Sequence, residues 1–518
     1  MTRNDSQTNN QTGWKESLAG IFHPKVITMV FLGISAGIPL LLIFSSLSLW
    51  LREAGVDRSA VTYFSWAALG YSFKFVWAPL VNSLKIPLLT HQFGQRRAWL
   101  LLSQLMIILS ISLMAWVNPA TDTLTLMGFA ALLLGFSAAT QDIVIDAYRI
   151  ESASEKFQAL MSSGYIAGYR IGMLIAGAGA LYLASFWGST TEHYSYLAWR
   201  STYLCMAFTM LIGVLTTLCI NEPAFKTKNA VLRETSNNLR FLLLFIAAVV
   251  GFIGCYFASS ELAQLTKGSL NEFLWNQYLA STVVECCRLI LALSLSALIT
   301  KLLVNVGFVA QQEIHQAYVA PIKEFFDRYG LSLALTLLAL IGLYRVSDIV
   351  LGVISNVFYQ DLGFSKIIIA NVVKSFGLGM TILGGFIGGI LALRFGVIRI
   401  LFVGALLSAI TNLMFVVLAK AGQDINLLYW VIAADNLSAG LASAAFVAFL
   451  SSLTNISFTA MQYAIFSSMM TLFPKVLGGY SGSIVEGIGY ETFFLITALM
   501  GLPVLFLIAW INRLLSSR

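Results

Sequence analysis

About fourteen long apolar runs, separated by short polar stretches, account for most of this sequence. A helix needs about 20 consecutive apolar residues to cross the hydrocarbon layer of a bilayer, and each run can supply one such helix. With 58% hydrophobic and only 11% charged residues, the chain has too few polar side chains to cover a soluble protein of this length. The sequence therefore predicts an all-α integral membrane protein.

The apolar runs fall into two sets of six, with two further runs between them. The first set lies at about 26–50, 60–84, 98–117, 123–148, 158–186 and 199–220, the inserted runs at 239–257 and 276–304, and the second set at 332–357, 366–391, 399–419, 427–453, 459–487 and 492–511. An amphipathic stretch over 307–329 is expected to lie along the membrane surface. The predicted divisions are a tail over 1–25, a six-helix bundle over 26–220, a linker with two extra spans over 221–329, a second six-helix bundle over 330–511 and a tail over 512–518.

The distribution of basic residues predicts the orientation of the chain. Lys and Arg in short loops accumulate on the cytoplasmic side of a membrane, and most of them lie here in segments that the topology places on the same side as both termini. The polar first 25 residues lack the features of a signal peptide. Both termini are therefore expected in the cytoplasm. This topology accounts for the net charge of +7 without nucleic-acid binding, which needs a basic patch on a soluble face.

Two carboxylates lie in the fourth apolar run. Asp142 and Asp146 share one helix face, since residues four apart are neighbours. A charge near the bilayer centre costs roughly 2.5 to 3.5 kcal/mol on insertion scales, so such residues usually mark a substrate or proton path. The pair predicts a transporter with protons as its coupling ion and Asp142 as the deeper site. Alternatively, Asp146 pairs with Arg149 or with a gate arginine near the interface and has only a structural role.

Arg170 is predicted to lie near the membrane midplane, about 18 Å from the cytoplasmic end of the fifth run at 1.5 Å per residue. Its guanidinium stays charged, so it needs an acid, and the candidates are Asp142 or a carboxylate on the cargo. Tyr165 and Tyr169 precede it and are placed to contact a sugar, with Gln141 as a neutral hydrogen-bonding residue. The alternative is an Arg170–Asp142 bridge that only holds two helices together.

Lys74 and Lys374 occupy nearly equivalent positions in the second run of each set. Both lie well over a turn from the ends of their spans, which predicts two cations that face one cavity and bind an anionic cargo. Their alternative is to extend toward the interface. Trp66 and Trp77 are predicted platforms for a sugar ring, although tryptophan at span ends is more often an interfacial anchor.

Arg345 and Asp348 are one candidate gate. They are three residues apart and form either a gate or an ion pair in which the two charges only neutralise each other.

The loops that follow the second run of each set contain glycines and arginines, with Asn82, Arg96 and Arg97 in the first loop and Arg394 and Arg399 in the second. They resemble the cytoplasmic loop motif of the major facilitator superfamily. In that motif the glycines allow close helix approach and the arginines latch the inner gate. The resemblance implies gate roles for the four arginines, and Asn82 departs from the motif, which usually has Asp there.

A closer resemblance is carried by GIPLLL at 37–42, TQDIVIDAY at 140–148, GYRIG at 168–172 and FTAMQYA at 458–464. These segments resemble AmpG-type muropeptide permeases of Gram-negative inner membranes, which also have two extra helices between their six-helix halves. The resemblance implies a major facilitator fold and import of anhydromuropeptides, GlcNAc-anhydroMurNAc with or without peptide, for peptidoglycan recycling and β-lactamase induction. It also implies a location in the bacterial inner membrane, and we expect a monomer.

Other functions stay open at this point. A proton-linked carrier of another large anionic metabolite, such as an acyl-CoA or an oligosaccharide, would need the same basic residues, and a receptor derived from a transporter would keep the cavity without coupling. An enzyme is not expected, because no His-Glu-x-x-His motif occurs and the four histidines lie in loops. The five cysteines have neither metal-ligand spacing nor a disulfide framework, so no catalytic residue, metal or cofactor is predicted.

Overall fold

The computed structural model describes residues 19–43, 45–56, 69–122, 124–154, 157–189, 193–223, 235–274, 277–365, 368–478 and 481–516. Within these ranges the secondary structure is helical, and no strand occurs there. The all-α class that the composition predicts is therefore confirmed.

Several helices of the first half are interrupted along their length. They are α1 (Pro24–Ile43), α2 (Ser45–Glu53), α3 (Leu69–Phe73), α4 (Ala78–Ser83), α5 (Leu89–Phe93), α6 (Gln95–Ala115), α7 (Leu124–Ser152), α8 (Gln158–Leu174), α9 (Ala180–Phe186), α10 (Tyr196–Thr209) and α11 (Leu211–Cys219). A 3₁₀ turn over Lys74–Val76 lies between α3 and α4, and a π-helical segment over Ile175–Gly179 joins α8 to α9. Such segments inside helices frequently mark functional sites.

The middle of the chain contains α12 (Thr235–Ala258), α13 (Ser260–Leu274), α14 (Gln277–Asn305), α15 (Gln311–Ile314) and α16 (Ala320–Tyr329). Here α12 packs against α14. The guanidinium carbon of Arg288 lies 4.1 Å from the centre of the Tyr256 ring, and Arg288 Nη2 donates a hydrogen bond of 2.6 Å to the Tyr256 carbonyl oxygen. Most of the predicted amphipathic stretch is helical, from Gln311 to Tyr329, and its place on the membrane surface stays a prediction.

The second half begins with α17 (Leu331–Leu343) and continues with α18 (Val346–Asp361), α19 (Gly377–Phe395), α20 (Val397–Ala421), α21 (Ile425–Leu453), α22 (Thr459–Gly478), α23 (Ser481–Leu499) and α24 (Gly501–Ser516). A π-helical segment over Ile369–Phe376 precedes α19 and contains Lys374. Pro474 lies inside α22, where proline removes one intrahelical hydrogen bond.

Within the described ranges, 12 helices are long and apolar enough to cross a membrane. They match 12 of the predicted runs. The run predicted at 60–84 begins outside the described residues and continues as the short helices α3 and α4. The run predicted at 459–487 is occupied by α22 and the start of α23.

Contacts divide the chain into two compact units. One unit holds both six-helix halves, over residues 1–82, 86–226 and 325–518, and the other holds residues 227–324 together with 83–85.

Glycines let helices of each half approach to backbone contact. A β-carbon at Gly168 of α8 would lie 1.9 Å from the carbonyl oxygen of Val30 in α1, and one at Gly37 of α1 would lie 2.1 Å from the carbonyl oxygen of Tyr169. In the second half, a β-carbon at Gly440 of α21 would lie 2.1 Å from the carbonyl oxygen of Thr381. Small residues allow this packing in a membrane, where dispersion contacts between helices replace the hydrophobic effect.

The two six-helix halves contact each other where α6 and α8 begin and α7 ends, which we call the Arg96 end. At this end Ser163 Oγ of α8 donates a hydrogen bond of 2.7 Å to the carbonyl oxygen of Gly385 in α19. Arg149 Nη1 of α7 donates to Ser451 Oγ of α21 at 2.7 Å. The Arg96 end therefore holds the halves together through polar contacts.

Candidate functional site

Asp142 and Asp146 both lie buried on α7, as the sequence predicts for two residues one turn apart. Asp142 accepts a hydrogen bond of 3.2 Å from the Tyr165 hydroxyl of α8. In the described part of the chain, Asp142 forms no ion pair with any Lys or Arg. Its described hydrogen bond therefore comes from a neutral hydroxyl, while the Lys74 ammonium group acts on the carboxylate from beyond ion-pair distance.

Asp146 lies between two cations. Its Oδ2 atom is 3.5 Å from Lys74 Nζ, and its Oδ1 atom is 3.4 Å from Arg149 Nη2. Lys74 is 6% exposed and Arg149 is fully buried, so both pairs are removed from solvent. The structural alternative for Asp146, a pair with Arg149, is present. Lys74 does not face a cavity as a free cation, because Asp146 binds its ammonium group.

Arg149 connects the two halves, a role that the sequence interpretation missed because it considered Arg149 only as a partner of Asp146. Its Nη1 atom donates to Ser162 Oγ at 3.1 Å and to Ser451 Oγ at 2.7 Å. The guanidinium carbon lies 5.1 Å from the centre of the Tyr463 ring. The sequence contains a signal for this role, since Asp142, Asp146 and Arg149 are spaced to share one face of a helix.

Arg170 does not bridge to Asp142. Among the residues that the structure describes, its guanidinium has no hydrogen bond and no ion pair, and it is partly exposed. The reason is that the Tyr165 hydroxyl, one turn earlier on α8, contacts the Asp142 carboxylate. The charged groups that act on Arg170 are cations of the second half, Arg345 and Lys374.

Three basic residues therefore form a group across the two halves, which we call the cation group: Arg170 of α8, Arg345 at the start of α18 and Lys374 before α19. Arg345 is compensated, because its Nε atom lies 3.5 Å from Asp348 Oδ2 and it donates a hydrogen bond to Ser443. The Lys374 side chain is exposed and has no ion pair with a described residue. The cation group thus holds positive charge that an anion would neutralise.

Two of the predicted substrate residues, Gln141 and Trp77, have other positions than expected. Gln141 is fully buried and accepts a hydrogen bond of 3.2 Å from Ser35 of α1. Trp77 is buried, and its indole nitrogen donates to Thr140 Oγ1 at 3.0 Å. Both side chains pack inside the first half, because polar atoms in a helix bundle take partners on neighbouring helices. Trp66 lies outside the described residues.

Tyr165 and Tyr169 form an aromatic wall beside Asp142. Their ring centres are 5.9 Å apart, with planes tilted by 50°. The Tyr71 hydroxyl is buried nearby and has no hydrogen-bond partner. This arrangement offers aromatic faces and one available hydroxyl, which suits a ligand with sugar rings.

Arg96 is the centre of a latch at the Arg96 end. Its Nε and Nη2 atoms donate to the two carboxylate oxygens of Glu151 at 2.9 and 2.6 Å. Its Nη2 atom also donates to Asn82 Oδ1 at 2.9 Å and to Thr459 Oγ1 of the second half at 3.2 Å. Thr459 donates in turn to Glu151. Asn82 thus accepts from Arg96 although the motif usually has Asp at that position.

Arg97 binds the end of α11. It donates to the carbonyl oxygens of Thr217 at 3.0 Å and of Leu218 at 2.9 Å, where the last carbonyls of a helix lack intrahelical partners. Glu222 accepts from the backbone nitrogens of Arg96 and Arg97 at 2.8 and 3.1 Å. Burial raises the pKa of Glu222 above its ordinary value. Arg97 therefore fastens α6 to α11 inside the first half.

In the loop of the second half, the guanidinium carbon of Arg394 lies 5.6 Å from the centre of the Phe395 ring, and Arg399 is exposed. In the loop of the first half, Arg96 reaches the other half through Thr459.

A second polar cluster lies in the interior of the second half. Besides its ion pair with Arg345, Asp348 accepts a hydrogen bond from Ser408 of α20. Asp435 of α21 accepts from Thr411 Oγ1 at 3.5 Å. The predicted pairing of Arg345 with Asp348 is thus observed, and it is accompanied by Asp435.

Comparison with known sequences defines the family. The sequence model of the Major Facilitator Superfamily matches residues 26–355. The chain belongs to the major facilitator superfamily. Its fold class is the one expected from the loop motif, and the family consists of transporters, which agrees with a function other than catalysis.

Relatives within the major facilitator superfamily cover nearly the whole chain. A protein of Rickettsia conorii named "Putative transporter AmpG 4" is 30% identical over 94% of this chain and 96% of its own length. The "Anhydromuropeptide permease" of Escherichia coli K12 is 26% identical over 94% of this chain and 79% of its own length. The predicted resemblance to AmpG-type permeases is confirmed.

Solved structures of other members have the same fold. The proton:xylose symporter XylE superposes with a TM-score of 0.57 at 12% identity, covering 95% of both chains. The transporter FucP in its outward conformation gives a TM-score of 0.57 at 12% identity, covering 95% of this chain and 99% of FucP. At these identities the likeness concerns the major facilitator fold alone.

Proposed function

We propose that this protein imports anhydromuropeptides, GlcNAc-anhydroMurNAc with or without its peptide, from the periplasm to the cytoplasm. The observation that carries the proposal is the cation group, in which Arg170 and Lys374 extend from opposite halves without a described acidic partner. A muropeptide carries several carboxylates, and cations on two walls would hold it in the cavity between them. The names of the relatives support this cargo.

The proposed mechanism is alternating access driven by protons. The two halves rock about a central site, as in transporters built from structural repeats. The membrane potential supplies about 2.3 kcal/mol per charge per 100 mV. Asp142 carries the proton, because it lies in the interior and, among the described residues, forms no ion pair, since the nearby Lys74 is paired with Asp146. Asp146 pairs with both Lys74 and Arg149 and fixes the position of α7.

In this mechanism the structure corresponds to a state closed toward the cytoplasm. The contacts at the Arg96 end join the halves on that side, and the loop motif and the basic residues near it support the assignment. Proton binding and cargo binding at the outer side would then precede release of the latch between Arg96, Glu151 and Thr459.

The proposed setting is the bacterial inner membrane, with both termini in the cytoplasm and the protein acting as a monomer. Imported anhydromuropeptides would there enter peptidoglycan recycling and serve as the signal for β-lactamase induction.

Uptake into proteoliposomes of controlled orientation tests this function. Labelled GlcNAc-anhydroMurNAc and its tripeptide form are supplied with and without an imposed inward proton gradient, and protein-free liposomes are the control. Gradient-stimulated uptake is expected for at least one of the two compounds. Absence of uptake for both would reject the cargo, and uptake of labelled acyl-CoA or labelled oligosaccharide would then test the other cargo classes.

A further inference from the structure

Each six-helix half contains two neighbouring acids, of which one is ion-paired and the other is not. In the first half Asp146 pairs with Arg149 three residues later, while Asp142 binds only the Tyr165 hydroxyl. In the second half Asp348 pairs with Arg345 three residues earlier. The remaining acid is Asp435. The second half has no acid at the positions equivalent to Asp142 and Asp146. Its two acids, Asp348 and Asp435, come from different helices that the fold brings together.

Asp435 has a weak polar environment. Its described hydrogen bond comes from Thr411 Oγ1 at 3.5 Å, and the same hydroxyl lies 3.0 Å from the carbonyl oxygen of Ser408. One hydroxyl proton cannot serve both acceptors well. No Lys or Arg forms an ion pair with Asp435 in the described part of the chain. The half-buried carboxylate therefore has one long hydrogen bond and no ion-pair partner among the described residues.

The groups that act on Asp435 come from the neighbouring helices. They are the Asp348 carboxylate, which repels the anion, the Arg345 guanidinium, which attracts it, and the Tyr359 hydroxyl on α18. Arg345 is already engaged by Asp348 and Ser443. Arg345 thus forms its ion pair with Asp348 and acts on Asp435 only from a greater distance, and protonation of one acid removes the repulsion between the two acids.

This arrangement connects the charge of Asp435 to the cation group. With Asp435 ionised, Asp348 and Asp435 together carry one negative charge more than Arg345 balances. With Asp435 protonated, Asp348 alone balances Arg345, and the charges of Arg170 and Lys374 remain for an anionic cargo. By thermodynamic linkage, a proton that strengthens cargo binding is itself bound more strongly when cargo is present.

We propose that Asp435 is a second proton-carrying site, so that each half carries one proton for every anion transported. The proposal rests on proton-driven import as the function of the protein. It assigns the coupling to two separate sites, Asp142 against Tyr165 and Asp435 against Thr411, in place of one site in the first half. Its readout is the proton-to-substrate ratio.

The ratio is measured as the steady accumulation of labelled GlcNAc-anhydroMurNAc tripeptide in proteoliposomes clamped at zero membrane potential. Each coupled proton multiplies the accumulation ratio by about 10 per pH unit of gradient, since a tenfold ratio corresponds to about 1.4 kcal/mol. The wild-type protein is expected to reach about 100-fold per pH unit. A wild-type value of about 10-fold would overturn the second site whatever any variant does.

Variants locate the second proton. Asp435→Asn is expected to lower the accumulation to about 10-fold per pH unit while exchange of labelled for unlabelled cargo, without a gradient, continues. The matched control is Asp361→Asn, an exposed carboxylate of the same half, which should keep the wild-type ratio. Asp435→Asn with an unchanged ratio would overturn the proposal.

A further variant covers the case in which Asp435→Asn lacks exchange activity. Asp435→Glu keeps the carboxyl group and is expected to retain the wild-type ratio with a shifted pH dependence of uptake, whereas an unshifted dependence would overturn the proposal. If the wild-type protein exchanges cargo but ignores the gradient, proton coupling itself is rejected. If it transports no muropeptide, the cargo is rejected.

Discussion

Asp142 and Arg149 show how two charged residues on one helix face serve different ends. Arg149 is fully buried and compensated by Asp146, and it also binds Ser162 and Ser451. A buried charge with several partners is costly to disturb and fixes its surroundings. Asp142 has a single neutral partner in Tyr165, so its charge can change without breaking an ion pair. Arg149 is therefore suited to a structural role and Asp142 to proton transfer.

Replacement of Asp142 tests its assignment to proton transfer. Asp142→Asn keeps the shape of the side chain and an acceptor for the Tyr165 hydroxyl, but it cannot bind or release a proton. We expect gradient-driven uptake to fall at least tenfold, on the order of the loss when a proton-transfer group is removed, with exchange retained. Asp122→Asn, at an exposed carboxylate of the same half, is the control. An unchanged response of Asp142→Asn to the gradient would reject the assignment.

Replacement of Arg149 tests its structural role. Arg149→Ala leaves Asp146 with Lys74 alone and removes a partner from Ser451 in the other half. Breaking a buried pair typically costs about 3 to 5 kcal/mol, so the melting temperature of the purified protein should fall by many degrees. Arg399→Ala, at an exposed arginine, should leave it unchanged. Equal melting temperatures for the two variants would contradict the role.

At the scale of elements, α1 and α8 form the most closely packed helix pair of the first half. Their backbones touch at Gly168 and Gly37, where no β-carbon fits. Both Tyr165 and Arg170 lie on α8, so this packing determines where the site residues can reach. The GYRIG segment therefore combines a packing glycine with a residue of the cation group.

A pair of glycine-to-alanine variants separates packing from helix propensity. Gly168→Ala places a methyl group 1.9 Å from the Val30 carbonyl oxygen, whereas Gly379→Ala in α19 meets nothing within 4 Å. Overpacking costs about 1 to 3 kcal/mol, while alanine in an uncrowded helix gains up to about 1 kcal/mol. Thermal unfolding in detergent should show destabilisation for Gly168→Ala only. Tolerance of Gly168→Ala would contradict the close approach of α1 and α8.

The latch at the Arg96 end is the element that conformational change must break. Glu151→Gln replaces the bidentate ion pair with Arg96 by a weaker hydrogen bond from the guanidinium to a neutral amide oxygen, and this should favour separation of the halves there. Ser163 Oγ lies 2.7 Å from the Gly385 carbonyl oxygen when the halves are closed. A cysteine is placed at this position by Ser163→Cys in a background without the five native cysteines. Its reaction with a membrane-impermeant maleimide should accelerate several-fold on addition of Glu151→Gln. An unchanged rate would show that the latch does not hold the halves.

At the scale of the whole molecule, the sequence predicts what depends on local composition. The spans follow from apolar run lengths, and 12 of them recur as helices with matching positions. The contacts between spans depend on helix rotation and on residues far apart in the chain. Thus Lys74 reaches Asp146, while Trp77 turns to Thr140, and neither pairing is encoded in the spacing of those residues. The nearness of Asp435 to Asp348 could not be predicted either, because the two residues lie on different helices.

Coupling between proton and cargo is the central claim, and lumenal pH measures it directly. Proteoliposomes containing a trapped pH-sensitive dye receive GlcNAc-anhydroMurNAc tripeptide on the outside, with no imposed proton gradient. We predict that cargo entry acidifies the lumen in the wild-type protein and that Asp142→Asn lowers the acidification for each molecule of cargo that enters. Uptake of the labelled cargo without acidification would contradict proton-driven import.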